Sequence, residues 1–97
     1  MKEGVIRFQY VLRADAASPS PEADELIQVR QLLFDAGMIG VGADGVGYGN
    51  ASVRTSAGFL ITASQTGKKA HLTCEDLVHV DAIVDGVLQA TGVLPPS

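Results

Sequence analysis

Residues 21–36 are the one stretch of this sequence with a sustained helical apolar period, and that limits the fold to a single long helix packed on strands. Ser20-Pro21-Glu22 reads as a helix start: a serine cap, proline at the first helical position and an acid in the first turn. Ala23, Leu26, Val29 and Leu33 then recur at helical spacing, with Ile27 and Phe34 one strip over. Glu25, Gln28, Gln31 and Asp35 are left for solvent. Gly37 supplies the stop, and Met38-Ile39 is expected to pin the exit against the core.

The rest of the chain alternates or turns. In residues 5–13, Ile6, Phe8, Tyr10 and Leu12 alternate with more polar positions, which predicts a strand with those four facing inward. Residues 51–54 are expected to pair with 59–62 across the Thr55–Gly58 turn, and 77–84 with 87–90 across Asp85-Gly86. Thr73-Cys74-Glu75-Asp76 has the form of a capping box that opens one short helical turn, and residues 93–97 end in a proline-rich loop. The expectation is an α+β fold, one helix on a largely antiparallel sheet of about five strands, or part of a layered α/β/α domain.

Two small-residue loops stand out within that frame. Gly45 to Gly67 runs from a glycine-rich loop at 41–49 through the hairpin to a second loop at 63–67. Glycines 45, 47 and 49 allow a ligand to approach the backbone closely, and Asn50 can hold a tight turn with its own side chain. Free amides in such loops form anion-binding concavities, to which the hydroxyls of Ser52, Thr62, Ser64 and Thr66 can add hydrogen bonds. Lys68 and Lys69 can steer an anion to the second loop, although a lysine pair is more often just a solvated loop.

Composition excludes several alternatives. The 97 residues suit one domain, 46% of them are hydrophobic and 19% charged, and no run is long and apolar enough to span a bilayer. A net charge of −4 with seven scattered basic residues argues against a nucleic-acid surface. The first residues form no signal-peptide core, which is consistent with a cytoplasmic setting.

Single reactive residues argue for little. Cys74 is the only cysteine, and His71 and His79, eight positions apart, are not at metal-ligand spacing, so surface or sheet-edge histidines are the simpler account. Ser52 does not sit in a nucleophile elbow.

A series of motifs carries more. Residues 30–39 (RQLLFDAGMI), then Gly49-Asn50-Ala51-Ser52-Val53-Arg54, Phe59-Leu60-Ile61-Thr62, residues 72–78 (LTCEDLV) and Pro95-Pro96-Ser97 together resemble the amino-terminal part of the class II aldolase/adducin family. The resemblance covers about residues 24–97. In the sugar-phosphate aldolases of that family, a Gly-Asn pair, a Thr/Ser-Gly loop and a serine pair hold the substrate phosphate. The resemblance places these roles on Gly49 and Asn50, on Ser64, Gln65, Thr66 and Gly67, and on Ser97. The family's Thr-Pro-Ser/Thr-Gly becomes Thr62-Ala63-Ser64-Gln65-Thr66-Gly67 here: either Gln65 replaces the glycine, or Thr66-Gly67 carries it after an insertion.

The resemblance further implies that the acid/base glutamate and the zinc-binding histidines of a completed site lie beyond Ser97. On that view the 97 residues, a single incomplete domain, anchor a sugar phosphate or similar anion without catalysing its cleavage. Zinc then belongs to the completed protein, and homo-oligomers are expected. The alternative is an adducin-like module that uses the fold for binding or assembly.

Overall fold

The structure is a computed structural model, and residues 9–96 are described. The fold is α+β. Helix α1 (Pro21–Asp35) lies on a five-stranded sheet built from β1 (Gln9–Ala14), β4 (Ser52–Thr55), β5 (Gly58–Thr62), β6 (Leu77–Val84) and β7 (Val87–Gly92). The strand order is β1-β7-β6-β5-β4, and a separate two-stranded ribbon joins β2 (Gly40–Val41) to β3 (Gly47–Tyr48). Both expected hairpins form, with Ser52 opposite Ile61 and Val84 opposite Val87. Asp85 and Gly86 have φ of 50° and 78°, the left-handed pair that matches a two-residue turn to strand twist.

The one departure from antiparallel pairing is β1, which runs parallel to β7 and places Leu12 opposite Ala90. Of the four residues expected to face inward from the first strand, Ile6 and Phe8 lie outside the described residues. Leu12 is half-buried, whereas Tyr10 is 41% exposed because β1 forms the sheet's edge.

Helix α1 starts and stops where its sequence punctuation says. The Ser20 side chain accepts from Ala23 N–H at 3.1 Å. At the other end, Gly37 N–H donates to Phe34 O and Met38 N–H to Leu33 O, the paired bonds of a Schellman motif. The two residues after the glycine separate: Ile39 is buried, but Met38 is 65% exposed. The buried stripe also differs from the expected one. Ala23, Leu26 and Arg30 face the sheet while Val29 is 44% exposed, since the helix is rolled to seat Arg30 rather than Val29.

Both faces of the sheet are apolar. Leu60, Leu72 and Leu77 meet Ala17, Ala23 and Leu26 beneath the helix. On the other face Val78, Val80 and Ala90 form a second cluster with Ala63, flanked by Phe59, Ile61 and Leu94. Each fully buried leucine or valine adds about 1.5–3 kcal/mol of transfer free energy, so the central strands β5, β6 and β7 form the rigid platform. The two loops of interest leave that platform at the C-terminal end of β5 and at the entry to β4.

Candidate functional site

The two small-residue loops converge. A Cβ on Gly67 would lie 2.8 Å from the Gly40 carbonyl oxygen and 3.5 Å from Gly47 Cα, so only glycine lets the second loop rest on the β2–β3 ribbon. The ribbon is tied to the helix end by Tyr48, whose hydroxyl donates to Gly37 O at 3.0 Å. Gly49 packs equally closely on the backbone of Met38.

Two cavities open where the loops meet, and both have Gly47, Gln65 and Gly67 in their walls. One, of about 330 Å³, adds Val41, Gly45 and Lys68. The other, of about 220 Å³, adds Tyr48, Gly49, Ala63 and Thr66. Lys68 therefore reaches the cavity, whereas its neighbour Lys69 turns away to bond Asp76.

The backbone of the second loop is set up to donate. Ser64 N–H donates to Pro95 O at 2.8 Å and Lys69 N–H to Thr66 O at 3.0 Å, and Thr66 N–H closes the turn over Ser64 and Gln65, whereas the N–H groups of Gln65, Gly67 and Lys68 find no backbone acceptor among the described residues. Gln65 holds φ 63°, the left-handed region that favours glycine. Gln65 thus sits inside a tight turn, and the successive free amides of Gly67 and Lys68 that follow it can form an anion-binding concavity.

Three supports fix that loop. The Thr66 hydroxyl donates to Ala63 O at 2.8 Å. Arg30, 1% exposed, donates from Nη2 to Thr66 O at 2.9 Å and more weakly from Nη1 to Ala70 O at 3.4 Å. Its guanidinium also lies 4.6 Å over the Phe34 ring, and its Nε has no partner. Burial lowers the Arg30 pKa from its ordinary value, opposed by the fields of Asp76 and Asp35. The third support is Asp76, which is 2% exposed and accepts from Lys69 Nζ and, at 2.9 Å, from Thr73 N–H. Burial pushes this carboxyl up, but those hydrogen bonds and the Lys69 charge outweigh it and hold the pKa below the usual carboxylate value.

Of the residues singled out in the sequence, Gly49, Gln65, Thr66 and Gly67 thus meet around the cavities. Asn50 is exposed on the same loop but lines neither cavity, and Ser64 lies half-buried behind it, engaged with Pro95. Ser97 is outside the described residues, although Pro96 before it bridges Ala63 and so brings the chain to the second loop. The sequence reading missed Arg30 and the buried role of Asp76, for which it offered no signal beyond a charged residue at a helical position and a helix-start acid.

A separate cavity of about 430 Å³ lies at the helix start, lined by Asp15, Ser20, Glu22, Thr55, His79 and Thr91 among others. There His79 Nε2 lies 3.0 Å from Thr55 Oγ1. His71 is elsewhere, with Nδ1 3.0 Å from Gln31 Oε1. Gln31, expected to be solvated, is half-buried by that contact. Among the described residues no three His, Cys, Asp or Glu side chains gather where they can hold a metal ion, and no helix is long and apolar enough to cross a membrane.

Comparison of the chain with protein-family models, with curated proteins and with solved structures finds no match in any of the three.

Proposed function

We propose that this chain is the substrate-anchoring part of a class II aldolase-like protein, binding a sugar phosphate or similar small anion between its two glycine loops. The observation that carries the reading is the set of three N–H groups without a backbone acceptor, those of Gln65, Gly67 and Lys68, beside the glycine ribbon and Lys68. Such an array offers several charge-assisted hydrogen bonds and no carboxylate to repel the ligand. The family itself rests on the series of motifs from Arg30 onward.

The chemistry assigned to this chain is holding and orienting the substrate. Zinc in a completed site would supply Lewis-acid stabilisation of an enediolate, but the described residues provide it no ligand set. A cytoplasmic setting belongs to the same reading. Calorimetric titration with a sugar phosphate and with the unphosphorylated sugar tests it. Binding of the first alone is expected; equal binding of both, or none, removes the phosphate role.

A non-catalytic, adducin-like assembly module is the second reading. Val29 and Leu32, 44% and 69% exposed, favour it by placing apolar surface on the outer side of α1, where homo-oligomers would pack. Sedimentation velocity that gives a monomer at all concentrations counts against this self-association.

A further inference from the structure

Arg30 is an unusual residue to find beneath the helix. It is among the most buried side chains, yet no carboxylate lies within ion-pair distance of it among the described residues. A buried cation without a counter-ion is costly, and a leucine or methionine would fill the helix–sheet contact without that cost. The guanidinium instead spends its donors on two main-chain carbonyls of one loop, Thr66 and Ala70, while Phe34 supports its face.

The bond to Thr66 has a consequence one atom further along. The peptide between Thr66 and Gly67 is planar and trans, so its C=O and N–H point in opposite directions. Drawing the Thr66 oxygen toward Arg30 turns the Gly67 N–H away from the helix. That N–H has no acceptor among the described residues, and Gly67 forms part of the wall of both loop cavities. Lys69 N–H holds the same oxygen from within the loop.

We infer that Arg30 is a positioning residue for anion binding: through the Thr66 carbonyl it fixes the peptide plane that presents Gly67 N–H to the ligand. This rests on the anchoring role proposed above. Arg30 does not touch the anion; it sets the orientation of a donor that does.

The test titrates the full chain with inorganic phosphate, reading the dissociation constant by calorimetry and the Gly67 amide by NMR, with thermal stability measured alongside. Wild type should bind and show a saturable downfield shift of the Gly67 proton. Arg30→Met should bind about tenfold more weakly or worse, as expected for a lost hydrogen bond to a charged group, and should lose that shift. Arg30→Lys keeps a cation but not the fork that spans two carbonyls, and should fall between the two. Phe34→Leu, which leaves both carbonyl bonds, should bind within about twofold of wild type.

Wild-type affinity and a wild-type Gly67 shift in Arg30→Met, with only the melting temperature lowered, overturns the inference and leaves the anchoring site standing. If Arg30→Met does not fold, Arg30→Lys decides: unchanged affinity overturns the inference. Weakening by Phe34→Leu as large as that of the Arg30 variants also overturns it, because the effect is then general packing. A wild-type chain that binds no phosphate overturns the anchoring site and this inference together.

Discussion

Lys69 and Asp76 are bonded through Nζ and Oδ1, and the second oxygen of the same carboxylate accepts from Thr73 N–H at 2.9 Å. One buried carboxylate thus closes the segment between the second loop and β6 from both sides. Its effect on stability follows from the sign of its pKa shift. The folded-state pKa is lowered, so the stabilisation is present above the ordinary carboxylate value of about 3.9 and is lost as pH falls through the lowered folded value.

The urea midpoint of the wild type should therefore drop as pH is taken from about 5 to below about 4. Asp76→Asn should be less stable at neutral pH by about 1–3 kcal/mol, since charge-assisted hydrogen bonds are lost. It should also show a flatter acid limb than wild type. Parallel pH curves for the two proteins would mean that Asp76 does not carry this dependence.

Gly58 faces a bulge in β6. The register shifts between Val80 and Ala82, and a Cβ on Gly58 would lie 1.9 Å from the Val80 carbonyl oxygen, with φ at 132°. Gly58→Ala is expected to cost more than about 2 kcal/mol in chemical denaturation, from strain and clash together. A loss below about 0.5 kcal/mol, the range of a neutral surface change, would contradict the close approach.

Gly67→Ala separates binding from stability at the loop contact. The added methyl meets Gly40 O, so the ribbon and the second loop must part. Phosphate affinity should fall at least tenfold, about 1.4 kcal/mol, while the sheet, which Gly67 does not touch through a ladder, keeps its protection in hydrogen exchange. Retained affinity would show that the two loops need not meet.

Asn50→Ala tests the part of the site that the cavities do not include. The resemblance gives its side chain to the anion, and the exposed position makes the substitution mild for folding. Weaker binding with an unchanged unfolding midpoint is expected. Unchanged affinity in calorimetry would confine the site to the loop backbone and Lys68.

Local punctuation made much of the fold legible. Ser20-Pro21 and Gly37 bounded α1, and Asp85-Gly86 turned β6 onto β7, because caps and left-handed turns depend on a few adjacent residues. The parallel pairing of β1 with β7 was not legible, since it joins segments more than seventy positions apart and no local pattern encodes it. Val29 was read on the wrong side of the helix, and the burial of Arg30 was not read at all, for a related reason. Apolar spacing assumes that charges face water, and here main-chain carbonyls from a distant loop receive the charge instead. Of the candidate site, the sequence indicated which loops were rich in free amides. That they meet required the close contact of Gly67 with Gly40, which no spacing reveals.

The most direct test is an amide-resolved NMR titration of the chain with inorganic phosphate. Anchoring by the second loop predicts saturable shifts concentrated at Gln65, Gly67 and Lys68, with Gly47 and Gly49 following and the sheet amides of β6 and β7 unmoved. Shifts scattered over the surface without saturation, or none at those three amides, would contradict it.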